Sequence, residues 1–143
     1  MKGEKIPAPD HIARFCRPMQ VSDGQIQAVA FMLRPGEEIL SVNWLEFLNC
    51  SNRDSEITEI RNIYSAKLNV GARAKLAVIN VGEVCEKVLT ESPDRRNVEV
   101  LHDPMDDDPS HSGIYNLEPD GELIAELILE TVHETYPART LMQ

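Results

Sequence analysis

The stretch Lys75-Leu76-Ala77-Val78-Ile79-Asn80-Val81-Gly82-Glu83-Val84-Cys85-Glu86-Lys87-Val88-Leu89 decides the fold class. Its first half holds an unbroken apolar run, Leu76 to Ile79, which suits a strand covered on both faces. Gly82 ends that run. Val84, Cys85, Val88 and Leu89 then recur at helical spacing and read as a short helix with one apolar side. Ser92-Pro93-Asp94 breaks the helix, and Val98, Val100 and His102 alternate with Glu99 and Leu101 as a half-buried strand. Strand, helix, strand across 75–102 is compatible with a parallel crossover.

Upstream of this unit, Asp54 or Ser55 is placed to cap a helix carrying Ile57, Ile60, Ile63, Tyr64 and Leu68, with Asn69 and Gly71 as its stop. Before it, Glu38 to Trp44 alternates, putting Leu40, Val42 and Trp44 on one face. Gln25 to Leu33 also reads as a strand, and Arg34-Pro35-Gly36-Glu37 as a turn joining the two in an antiparallel hairpin. Pro7, Pro9 and Pro18 make residues 1–24 an irregular arm.

Downstream, residues 103–113 read as an acidic loop that buries nothing. A final helix is expected over 120–135, capped by Asp120 and stopped by Pro137. At 100° per residue Leu123, Ile124, Leu127, Ile128 and Val132 form its inner arc, with Glu122, Glu126, Glu130 and His133 opposite. The sum is a single α+β domain over 1–143: a small mixed sheet with an antiparallel hairpin, three helices packed on it, and a C-terminal amphipathic helix.

A chain of 143 residues with 42% apolar and 27% charged side chains is large enough to fold around its own core. No apolar run approaches the roughly 20 residues of a membrane-spanning helix, and the N-terminus has no apolar segment of a secretory leader, so a cytoplasmic protein without membrane contact is expected. Cys16, Cys50 and Cys85 are too few and too scattered for a disulfide framework or a zinc site. Cys85 and Cys50 are expected to pack in the core.

The net charge of −10 is uneven. Residues 1–100 hold 13 Lys and Arg against 14 Asp and Glu, whereas residues 101–143 hold Arg139 alone against 10 acids. An acidic C-terminal third disfavours binding of nucleic acid through that region and suits a basic protein partner.

Two groups of residues could support chemistry. In the acidic loop, Asp106 and Asp108 resemble the first two ligands of a calcium loop, but His111 stands where such a loop needs Gly and Leu117 where it needs Glu. In the N-terminal arm, His11 and Arg14 are three apart, so one helical turn would align them. If His11 faced His111 across a cleft, with Arg14 as anion clamp and Ser110 beside them, the set could work on a phosphodiester or nucleotide. Cys16 as a nucleophile with either His as base is a second construction. Trp44 is expected to pack rather than stack on a base, and Arg95-Arg96 is too small a patch for nucleic acid.

No cofactor motif is present. The sequence therefore favours a small acidic binding or regulatory module that engages a basic protein partner through Glu122, Glu126 and Glu130. Like charges at i,i+4 cost a few tenths of a kcal/mol each, which such a partner would remove. A small hydrolase or nuclease-like enzyme using His11, Arg14, Ser110 and His111 is the alternative.

Overall fold

A computed structural model of the chain describes residues 2–119 and 121–139. Among these described residues eight strands and three α-helices follow one another: β1 (His11–Cys16), β2 (Val21–Ser22), β3 (Gln25–Ile26), β4 (Leu40–Trp44), α1 (Arg53–Lys67), β5 (Lys75–Asn80), α2 (Val81–Glu91), β6 (Glu99–His102), β7 (His111–Tyr115), α3 (Glu122–Leu129) and β8 (Glu134–Pro137). Six strands form one sheet in the order β6-β7-β4-β1-β5-β8, and β2 and β3 form a separate two-stranded ribbon. Every ladder is antiparallel. The fold is α+β.

Strand alternation sorts the sheet's side chains between two cores. On one face Ala13, Phe15, Leu45, Leu76 and Val78 meet Ile57 and Ile60 of α1. On the other, Ile12, Val42, Ile79, Val100 and Ile114 meet Val84 and Val88 of α2 and Ile124, Leu127 and Ile128 of α3. The helices thus cover both faces, and α2 packs beside α3. The open edge of β6 is blunted by the N-terminal segment. Gly3 N donates to His102 O at 2.7 Å, His102 N to Glu4 O at 2.8 Å, and Ile6 N to Val100 O at 3.0 Å.

The expected α1, β4, β5, α2 and β6 all form, with shifted caps. Asn52 Oδ1 accepts from Ser55 N at 2.8 Å and Asn80 Oδ1 from Glu83 N at 2.8 Å, so Asn caps both helices. Arg34–Glu37 is a turn, closed by Glu37 N to Arg34 O at 3.0 Å.

Five expectations change. The irregular arm contains β1, which pairs along its whole length with β5 and also with β4. Pro7, Pro9 and Pro18 fall outside its ladders, so no strand donor is lost. The expected hairpin across 25–44 is replaced by the β2–β3 ribbon. Asp23 and Gly24, at φ 51° and 76°, make its two-residue turn. Ala28–Phe31 then coils into a 3-10 turn that buries Ala30 and Phe31 beneath α3. The 75–102 unit is no neighbouring crossover, because β1, β4 and β7 lie between β5 and β6.

The acidic loop does bury side chains: Asp108, Ser110 and Ser112 are wholly enclosed, and β7 begins inside it at His111. The final helix is shorter than expected. Thr131 N and Oγ1 both donate to Ile128 O, at 2.9 and 2.7 Å, and tighten the chain out of the helix. The β-branched and aromatic run that follows then pairs with β5 as β8. Its inner face is Ile124, Ala125, Leu127 and Ile128, while Leu123 is 48% exposed. The expected Asp120 cap lies outside the described residues, and Gly121 occupies the cap position.

Candidate functional site

The residues expected to form one catalytic group are spread over the sheet. On a strand, residues three apart face opposite sides, so β1 sends His11 to the α1 face and Arg14 to the other. His11 Nδ1 lies 2.7 Å from Glu46 Oε2, and its backbone N donates to Glu46 Oε1 at 2.7 Å. Arg14 is a half-buried strut. Its Nε donates to Ala30 O at 2.8 Å and its Nη1 to Ser41 O at 2.9 Å. Burial pushes its pKa down, with the surrounding groups acting in both directions.

His111 shares the α1 face with His11 but is separated from it by the β4 strand. The register His111–Asn43–Ala13 puts the two His Cα atoms about 12 Å apart by strand spacing and rise. Both His111 ring nitrogens are engaged, Nδ1 at 2.9 Å from Asp103 O and Nε2 at 3.1 Å from Ser41 Oγ. A carbonyl only accepts, so Nδ1 carries the proton in the neutral ring and Nε2 accepts from Ser41. Neither His side chain hydrogen-bonds to Ser110 among the described residues. Strand parity and register therefore place His11, Arg14, Ser110 and His111 apart rather than around one point.

Cys16 is fully buried on the face opposite both His residues, and its Sγ donates to Arg14 O at 3.6 Å. Burial pushes its thiol up to about 12, which removes the thiolate a nucleophile needs. Trp44 packs as expected, edge-on to His102 with ring centroids 5.1 Å apart, and its Nε1 donates to Asp10 Oδ2 at 2.9 Å. Cys85 packs partly buried against the core.

Ser110 instead belongs to a buried polar cluster between β4, the turn before β7 and the end of α1. Asn43 Nδ2 is 2.8 and 3.0 Å from the two Asp108 carboxylate oxygens and 2.9 Å from Ser110 Oγ. Ser110 Oγ donates to Asp108 Oδ1 at 3.2 Å, Tyr64 OH donates to Asn43 Oδ1 at 2.9 Å, and Lys67 Nζ stands 3.5 Å from Asp108 Oδ2. Burial first, and then the Asp108 charge, push the Tyr64 hydroxyl up to about 12. Every buried side-chain polar atom among the described residues has a partner. Such a satisfied network fixes a loop in place.

Asp106 and Asp108, the two expected metal ligands, are placed differently from one another. Asp108 spends its oxygens on Asn43, Ser110 and Lys67, while Asp106 is exposed at the tip of a tight turn closed by Met105 and Asp108. Among the described residues no three His, Cys, Asp or Glu side chains are disposed to hold a metal ion. Nor is any helix among them long and apolar enough to cross a membrane.

The acidic C-terminal third is met by cations from the first hundred residues. Lys87 Nζ reaches Glu130 at 2.9 Å and Glu91 at 2.8 Å, and Arg53 reaches Glu134 at 3.1 Å. Arg96 pairs with Glu118 and with Asp94, and its Nη1 also donates to Asn116 O at 2.9 Å. The expected row of Glu122, Glu126 and Glu130 is thus broken. Glu134 is on β8 and Glu130 is paired, whereas Glu122 and Glu126 have no ion-pair partner among the described residues.

Beside these two lies a groove of about 340 Å³ between the end of α2 and the start of α3. Pro93, Leu123 and Ile124 supply its apolar lining, and Asp94, Glu118 and Glu122 its acidic rim. Only Arg96 opposes those three carboxylates within the lining. The rim residues Asp94, Arg96 and Glu118 carry no sequence signal, because contacts distant in the chain bring them together. Comparison of the chain with protein-family models, with curated proteins and with solved structures returns no match.

Proposed function

We propose that this protein is a binding module that docks a basic segment of a protein partner on its α2/α3 face. The supporting observation is the groove itself: an apolar bed at Leu123 and Ile124 under three carboxylates and one guanidinium. Glu126 stands one helical turn beyond Glu122 and extends the negative rim, while exposed Glu86 adds charge on α2, where Glu83 and Glu91 are engaged by His133 and Lys87. A segment carrying Lys or Arg on either side of an apolar residue matches this surface in both charge and polarity. It would also relieve the Glu122–Glu126 repulsion. Glu130 is engaged by Lys87 and contributes less than Glu122 and Glu126.

Capture of native partners by the wild type and by the Glu122→Lys/Glu126→Lys variant tests the reading. The expected result is a retained protein with a Lys- or Arg-rich contact segment, released by salt and lost with the double variant. Undiminished retention by a folded double variant contradicts it.

A further inference from the structure

We infer that the cleft between the β2–β3 ribbon and the turn leading into β5 binds a phosphate-bearing small molecule, with Arg73 and Lys75 as its anion-holding groups. The cleft has a volume of about 540 Å³, within the usual range for small-molecule sites and larger than a bare phosphate needs. Arg73 and Lys75 line it, opposed by the single carboxylate of Asp23.

The chain carries 24 acids and 14 Lys and Arg, so a cation without a partner is against expectation. Yet six of them, Lys5, Arg17, Arg73, Lys75, Arg95 and Arg139, make no side-chain hydrogen bond or ion pair among the described residues. The register gathers four, Arg17, Arg73, Lys75 and Arg139, at one end of the sheet. Lys75 pairs with Cys16 on one side and Pro137 on the other, and Ala138 N donates to Ala74 O at 2.9 Å. Arg17, Arg73 and Arg139 are therefore the residues that step off adjacent strands at the same end.

Two lining residues of the cleft also have unpaired backbone amides. The turn over 71–74 closes through Ala74 N to Gly71 O at 3.2 Å, and the Ala72 and Arg73 amides take no partner among the described residues. Gly71 holds this turn close against the 3-10 turn Pro18–Gln20, since a Cβ there would sit 2.7 Å from Pro18 Cγ. A forked guanidinium, an ammonium and two backbone amides around one concavity suit the several oxygens of a phosphate better than a single carboxylate. This site is remote in sequence from the acidic α2/α3 groove and stands independently of the function proposed for it.

Amide chemical shifts read during titration with sodium pyrophosphate, and separately with a ribonucleoside triphosphate, test the inference at constant ionic strength. Both probes should shift amides confined to 21–24 and 72–75. Arg73→Gln/Lys75→Gln should weaken binding at least tenfold, whereas Arg95→Gln, in an exposed turn elsewhere, should leave it unchanged. Because Lys75 is half-buried, Arg73→Gln alone is the second variant, with at least threefold weakening expected. No shift, equal binding by the variants, or shifts spread over all exposed cations would overturn the inference. So would the same amides shifting on dilution of the protein alone, which would mark the cleft as a self-contact.

Discussion

The side-chain amide nitrogen of Asn43 lies 2.8 Å from Oδ1 and 3.0 Å from Oδ2 of Asp108, across 65 residues of chain. This contact turns an acidic loop into part of the folded core. Asp108 is fully enclosed, and its removal takes an acceptor from the Ser110 hydroxyl and from the Asn43 amide, which keeps Ser110 Oγ, and leaves Lys67 with Asp107 alone at 3.8 Å. Asp108→Ala should cost roughly 1–3 kcal/mol, the range for leaving a buried donor unmet. Asp108→Asn should cost less. Urea unfolding checks both, and an unchanged midpoint for Asp108→Ala would show that the cluster contributes nothing.

Alkaline pH should destabilise the protein through two weak acids, buried Cys16 and half-buried Tyr64. The Tyr64 hydroxyl is raised from 10.0 to about 12 and the Cys16 thiol from 9.0 to about 12, burial being the main cause of each. A group raised in the folded state stabilises fully below its unfolded pKa, and that contribution is lost as pH rises towards the folded value. Stability should therefore fall between about pH 9 and 12, by about 1.4 kcal/mol per pH unit for each group once its unfolded form ionises. Denaturation curves across that window should be shallower for Cys16→Ala and for Tyr64→Phe. Identical slopes would contradict the assignment.

The thiols should separate by access as well. Cys16 is buried, while Cys50 and Cys85 are half-buried. A disulfide reagent at pH 8 should therefore modify Cys16 only on unfolding, with the other two reacting sooner. Fast labelling of Cys16 in the native protein would mean that β1 opens locally.

On α3, Leu127→Ala should cost roughly 2–5 kcal/mol, the range for truncating a buried Leu. Leu123→Ala should change stability by less than about 0.5 kcal/mol, as surface substitutions do, because Leu123 is 48% exposed. Thermal or urea unfolding of the pair separates this inner face from one that includes Leu123.

The sequence carries the elements whose signal is local. Periodicity and stop signals mark α1, α2, β4, β5 and β6, because each has a continuous apolar pattern and a nearby Gly, Asn or Pro. β1 escapes that reading because His11-Ile12-Ala13-Arg14-Phe15-Cys16 sits in the middle of the sheet and is covered on both faces, so its polar residues do not alternate cleanly with apolar ones. Its flanking prolines suggest irregularity while standing outside the ladder. β7 hides in an acidic loop whose Asp108 and Ser110 become buried only through Asn43, a partner no local pattern reveals. In the last helix, helical spacing continues past residue 129, but Thr131, Val132, Thr135 and Tyr136 favour the extended chain, and pairing with β5 decides the outcome. The Asp23-Gly24 turn was a legible signal that the apolar run after it obscured. For the candidate sites, charge imbalance pointed to the C-terminal third. Which Glu are free depends on Lys87, Arg96 and Arg53, whose positions only the fold supplies.

The docking claim is tested most directly by site-specific photo-crosslinking in cells, with a crosslinking side chain at Glu122 and a control at Asn62 on the exposed side of α1. The account predicts adducts from position 122 to a Lys- or Arg-rich segment of one protein, absent from position 62 and suppressed by Glu126→Lys. Adducts of the same kind from both positions, or none from position 122 in a folded protein, would contradict it.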